Sequence, residues 1–191
     1  MRLLFAAGCA AVLGACAATP ETVPAGRYDS EAGFAVTLER DWSRWPAAIN
    51  PATHGEYLTQ DGVLLNRLHL VTLKDGASLV RTARGETAPQ YNASGSELEV
   101  VDFLTASLDE VGYNALAADD IRPATIDGAD AIRFALAGKW ENGLDVRGDA
   151  AAVARAGRLH LIFFLAPALH YYGALAGEVD AIIASVDLPE E

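Results

Sequence analysis

The spacing of apolar residues along this chain changes period several times, and each change marks an element. "FAVTLE" (34–39) alternates large and small side chains and predicts a strand. "RDWSRWPAAINPATHGE" follows; Pro46 and Pro51 make it a predicted loop. "YLTQDGVLLNRLHLVTLKDG" reads as two strands about Asp61-Gly62. Leu64, Asn66, Leu68, Leu70 and Thr72 then share one face, and Leu65, Arg67, His69, Val71 and Leu73 the other. Residues 75–95 are rich in Gly, Ser, Thr and Ala and read mostly as loop.

At Ser96 the period becomes helical. "SELE" is a capping box, in which Ser96 can accept from the Glu99 amide while Glu99 reaches back. Leu98, Val101, Leu104, Leu108 and Val111 form a stripe, and Gly112 ends the helix. Turn signals then recur at Asp127-Gly128, Asn142-Gly143 and Gly157. They divide "DIRPATI", "ADAIRFALAGKW", "LDVRGDAAAVARA" and "RLHLIFFLA" into a four-strand antiparallel meander. "LHLIFFLA" is apolar on both faces, which predicts a central strand covered on each side. A last helix is expected from Pro167, with Leu169, Tyr172, Leu175, Val179, Ile182, Ile183 and Val186 as its buried stripe and Pro189 after its end. Helices segregated around an antiparallel sheet make an α+β domain.

The first residues follow another pattern. Arg2 is the only charge before Glu21, and Leu3 to Ala15 is apolar or small throughout. That run is too short for a membrane-spanning helix, which needs about 20 such residues. It matches a secretory signal: a basic start, an apolar middle, a small-residue end. "LGAC" (13–16) resembles the lipobox of bacterial lipoprotein signal peptides. The resemblance implies cleavage before Cys16, a diacylglyceryl group on its thiol and acylation of the new amino group. Thiolate chemistry suits that role. At about 0.8 kcal/mol per buried methylene, two or three such chains hold a protein at a bilayer. Cys9 lies in the poorer box Ala6-Ala7-Gly8-Cys9 and would leave with the signal. Ala17, where family members kept at the inner membrane tend to carry Asp, implies the outer membrane. An ordinary secretory signal cut after an Ala-x-Ala site is the alternative. Residues 17–26, "AATPETVPAG", carry two prolines and read as an extended tether.

Charge narrows the partners. The chain has 26 acidic and 14 basic residues among 191, a net of −12. Nucleic acid needs a basic face and is excluded as a partner. The scattered acids make a solvated surface. Cysteine occurs only at positions 9 and 16, so no disulfide framework and no thiol chemistry is expected in the body.

The body also carries a resemblance. "FAVTLERDW", "IDGADAIRF", "GRLHLIFFLAP" and "ASVDLP", spanning roughly 34–42 and 96–188, are similar to segments of the PsbP-like superfamily. That superfamily includes the extrinsic photosystem II protein PsbP, a Ran-GTPase-binding factor and many bacterial lipoproteins. The resemblance implies a three-layer α/β/α sandwich around an antiparallel sheet, with two main helices. Its members bind partner proteins or aid assembly, and its motifs identify no catalytic residue.

No enzymatic constellation emerges from the residues. His54, His69, His160 and His170 lack the HxxxH and HExxH spacings of a helical zinc site. His69 and His160 fall on predicted strands and could meet in space. "SGS" (94–96) is not a nucleophile elbow, and there is no phosphate loop or dinucleotide fingerprint. No cofactor or metal is expected. "RDWSRW" is the one cluster with binding chemistry, placing Trp42 and Trp45 beside Arg40 and Arg44. Both residue types are over-represented at binding hot spots, although aromatics also dominate core burial. Arg40, Trp42, Arg44 and Trp45 are therefore either a partner-binding surface or a plug at the sheet edge.

The expected organisation is a signal peptide (1–15), a lipidated cysteine and tether (16–26) and one α+β domain (27–191). The expected role is that of a non-catalytic, lipid-anchored cell-envelope protein that binds or helps assemble an envelope partner, on the periplasmic side of the outer membrane rather than the inner. The alternative is a carrier of an apolar ligand such as a lipid, with "LIFFLAP" and "HYYGAL" lining a cavity.

Overall fold

The structure is a computed structural model that describes residues 19–46, 52–82 and 87–190. Cys16 and the lipobox lie outside the described residues.

Turn chemistry builds the C-terminal half. The strands β7 (Tyr113–Ile126), β8 (Ala129–Trp140), β9 (Asp145–Arg155) and β10 (Arg158–Pro167) form the expected meander. Asp127-Gly128 and Ala156-Gly157 each hold two consecutive residues at positive φ (48° and 72°; 49° and 70°). That is the backbone twist a two-residue hairpin turn requires. β10 is sandwiched between β9 and β6 (Arg67–Lys74), antiparallel to both. Its central place follows from its sequence, because a strand apolar on both faces must be covered on both.

The sheet continues from β6 through β5 (Glu56–Thr59) and β4 (Trp42–Arg44) to β1 (Glu21–Val23), giving eight antiparallel strands in the order β1-β4-β5-β6-β10-β9-β8-β7. A separate hairpin joins β2 (Gly26–Asp29) to β3 (Ala35–Leu38). Two corrections follow. Trp42–Arg44, expected as loop, is a strand; it borders the prolines without containing one, so its amides remain free to pair. Part of the expected tether is also strand, since Glu21–Val23 pairs with Arg44–Trp42 and Val23 joins a core.

One helix covers each face. α1 (Glu97–Asp109) opens on Ser96, whose hydroxyl accepts from the Glu99 amide at 3.3 Å. Glu99 Oε2 accepts the Ser96 amide at 2.7 Å, completing the capping box. Those bonds hold the Glu99 carboxyl below its ordinary pKa. Ser96→Ala should cost about 1 kcal/mol, read as a melting shift of about 2–4 °C. The α1 stripe is rotated from the expected one: Val100, Phe103 and Ser107 join Val101, Leu104 and Leu108, while Leu98 is 59% exposed. At 3.6 residues per turn Leu98 stands opposite Ser107.

α2 (Gly173–Ala184) covers the other face with Leu175, Val179, Ile182 and Ile183, followed by Val186. It starts six residues later than expected. Pro167 ends β10, and Ala168–Tyr172 form a wide π-type turn. Within it Leu169 is extended and His170 adopts φ 75°, ψ −63°, the strained γ-turn region. This break throws Leu169 out of the expected stripe, to 86% exposed.

The result is an α/β/α sandwich with two cores. Leu161, Phe163 and Leu165 meet α1; Ile162, Phe164 and Ala166 meet α2. Leu161 to Ala166 and Leu175, among the side chains that suggested a ligand cavity, thus join the cores, while Leu165, Ala166 and Pro167 also line a cleft and His170, Gly173 and Ala174 are exposed. Among the described residues, no helix is long and apolar enough to cross a membrane.

Candidate functional site

The arginine–tryptophan cluster is pulled apart by the fold. Trp42 is 1% exposed, and its indole N–H donates to Glu178 Oε1 on α2 at 3.0 Å. Arg40 Nε lies 2.7 Å from the other oxygen of that carboxylate, an ion pair without hydrogen-bond alignment. Arg40 and Trp42 thus fasten the start of β4 to α2, and the Trp42 side chain is buried. Arg44 is taken by three carboxylates: Glu21, Glu31 at 2.5 Å and Glu56 at 3.4 Å. The hydrogen bond to Glu21 leads in raising its pKa. Glu56 is buried, accepting from the Tyr28 hydroxyl and, at 3.0 Å, from the Glu31 amide. Burial, then that bond to Glu56, raises the Tyr28 pKa. This network latches β1 and the β2–β3 hairpin to the sheet. Trp45 stays half-buried, its amide 3.4 Å from the Tyr57 carbonyl that accepts from it.

The histidines do not meet. His69 is paired in register with Phe163, and His160 with Thr72. The two rings therefore project from opposite faces. His69 is buried and stacks on Phe163 at 4.3 Å with 6° between ring planes. Burial, with Arg67 nearby as a lesser cause, pushes its pKa down to about 3. His160 Nδ1 lies 2.9 Å from Thr72 Oγ1. Burial lowers its pKa as well, with smaller contributions from Arg158 and Arg155. Among the described residues, no three His, Cys, Asp or Glu side chains are placed to hold a metal ion.

A candidate binding surface lies where β6 begins. The seven residues between β5 and β6 wrap beneath the β8–β9 turn and leave an apolar cleft of about 180 Å³. Leu64, Leu65, Leu144, Val146 and Leu165 line it. Leu64 is 82% and Leu144 44% exposed, so large aliphatic groups form its rim. A second cleft of about 200 Å³ lies behind, containing Thr53 and His69, and the two share a wall of Arg67, Tyr113 and Trp140. The Arg67 guanidinium sits 5.4 Å from the Trp140 ring centroid, a cation–π contact. Tyr113 meets the same indole edge-on at 4.5 Å. Arg67 Nε donates to the Val63 carbonyl. Burial raises the pKa of Tyr57 and of Tyr113, and the Arg67 charge opposes both shifts. Among the described residues, none of the ion pairs includes Arg67.

Sequence reasoning missed this cleft because its wall comes from three segments distant along the chain. Two local signals pointed to it: apolar "VLL" inside a turn, and Trp140 and Leu144 flanking the Asn142-Gly143 turn.

The architecture is similar to the solution structure of cyanobacterial PsbP (CyanoP) from Synechocystis sp. PCC 6803, with a TM-score of 0.55 and 12% identity over 96% of this chain and 98% of that one. A crystal structure from Bacteroides thetaiotaomicron VPI-5482 is similar with a TM-score of 0.51 and 12% identity; 88% of this chain is covered but only 50% of that one. No family model and no curated protein sequence matches the chain. Eight antiparallel strands between two helices, superposable on CyanoP over nearly the full length of both chains, give this protein the PsbP-like α+β fold.

Proposed function

We propose that this protein is a non-catalytic accessory factor of the bacterial cell envelope, tied to a membrane through lipidated Cys16 and acting by binding another protein. One observation carries the binding half. Most large apolar side chains join the two cores, yet Leu64 and Leu144 stand outside them on the rim of one cleft. Single exposed aliphatics are ordinary, but two around a concave apolar surface favour a partner. The likeness to a PsbP structure supports an accessory role, and Leu13-Gly14-Ala15-Cys16 supports the anchor. Ala17 favours the outer membrane.

The two halves are tested separately. Labelled palmitate should enter the native protein and be lost in Cys16→Ala, and the mature chain should begin at Cys16. A mass equal to the bare peptide would remove the anchor. A photo-crosslinking residue at position 64 should yield a discrete adduct in living cells, while one at Asp102, on the outer side of α1, should not. Equal labelling from both positions would remove the binding surface.

A further inference from the structure

We propose that the cleft beside Arg67 is a subsite for a free peptide C-terminus, the terminal carboxylate resting on Arg67 and an apolar last side chain entering between Leu65, Leu144 and Val146. The proposal rests on the protein-binding reading above and names the chemistry of the group bound.

Charge is the first argument. In a chain with 26 acidic and 14 basic residues, Arg27, Arg40, Arg44, Arg122, Arg133 and Lys139 each pair with a carboxylate. Arg67 pairs with none among the described residues, although it is half-buried in a cleft. Its Nε–H is committed to Val63, and its guanidinium carbon lies 5.4 Å from the Trp140 ring centroid. The terminal nitrogens keep the planar fork that binds a carboxylate through two hydrogen bonds.

Size is the second argument. The cleft has a volume of about 180 Å³. It falls below the ~300–1,000 Å³ typical of pockets for whole small molecules. One residue-sized apolar group is enough to occupy it. The net charge of −12 is the third. It disfavours a polyanion, so a ligand with one negative charge and an apolar body suits the site better than a phosphorylated or acidic segment. Capture of a chain terminus by fixed donors is an established mode of peptide recognition.

The test uses the soluble body of the full chain after signal removal and a fluorescein-labelled Gly-Ser-Gly-Ala-Leu peptide, read by fluorescence anisotropy. The free acid should bind at least about tenfold more tightly than its C-terminal amide, since the amide lacks the charge that a pair of hydrogen bonds to a guanidinium recognises. Arg67→Gln should remove that preference, and Arg67→Lys should restore it only in part. Leu64→Asp, at a side chain too exposed to support the fold, should weaken the free acid by a similar factor with an unchanged melting temperature. Equal binding of acid and amide, or an unaltered preference in Arg67→Gln, overturns the proposal. So does displacement of the peptide by palmitate but not by unlabelled peptide, which would assign the cleft to fatty acids. If the peptide fails while the position-64 adduct persists in cells, the partner surface stands and only the terminus subsite falls.

Discussion

Gly148→Ala is expected to destabilise the protein by about 3 kcal/mol or more, the upper end of the usual overpacking range. A Cβ at this position would lie 2.0 Å from the Phe164 carbonyl oxygen and 2.9 Å from Leu165 Cδ2. The first of these atoms is backbone. It belongs to β10, which is held on both sides by β9 and β6 and cannot retreat without breaking one ladder. Since whole domains are stable by only ~5–15 kcal/mol, urea midpoints should fall steeply. Gly157→Ala makes the control. Its φ of +70° strains an alanine, but nothing lies near the new methyl group. The expected cost there is about 1 kcal/mol. Equal midpoint shifts in the two variants would show that the close approach at Gly148 relaxes freely.

The second large effect is a loss of stability in acid that runs through His69. The unfolded imidazole takes up its proton near pH 6.5, but burial delays this to about pH 3 in the folded protein. Between those values the unfolded chain holds the extra proton, so stability rises with pH across this window and falls as acid is added. At about 1.4 kcal/mol per pH unit while the window lasts, the effect reaches several kcal/mol. His160 contributes with the same sign, because burial lowers its pKa too. His69→Phe keeps a flat ring against Phe163 and removes the proton site. Its urea midpoint should change less between pH 6.5 and pH 4 than that of the parent. Parallel pH profiles would mean that His69 does not contribute to the acid limit.

The same residue shows where local pattern stops informing. Strand parity puts His69 with Arg67 and Val71, and that much is written in the alternation of "RLHLVTL". Whether His160 shares that face depends on the register between β6 and β10, and the pairing of His160 with Thr72 sends it to the other side. Trp42 and Arg40 give a second case. "RDWSRW" showed binding chemistry but not that Glu178, on the last helix, would supply the carboxylate. The cleft is a third, because Arg67 and Trp140 become neighbours only when the β8–β9 turn lies over the start of β6.

By itself the sequence determined the elements whose causes are local. The Ser96–Glu99 box starts α1, Asp127-Gly128 and Gly157 mark their hairpin turns, and the two-sided apolar run of β10 demands a place between layers. These rest on hydrogen bonds and φ angles within a few residues, or on a hydrophobic period that any core must satisfy. The tertiary structure alone decided that β1 leaves the expected tether to close the sheet edge and that β6 pairs with β10. It also decided that Arg67 lies against Trp140. Those outcomes depend on which edges and charges remain after distant segments have packed, and no local window contains both partners.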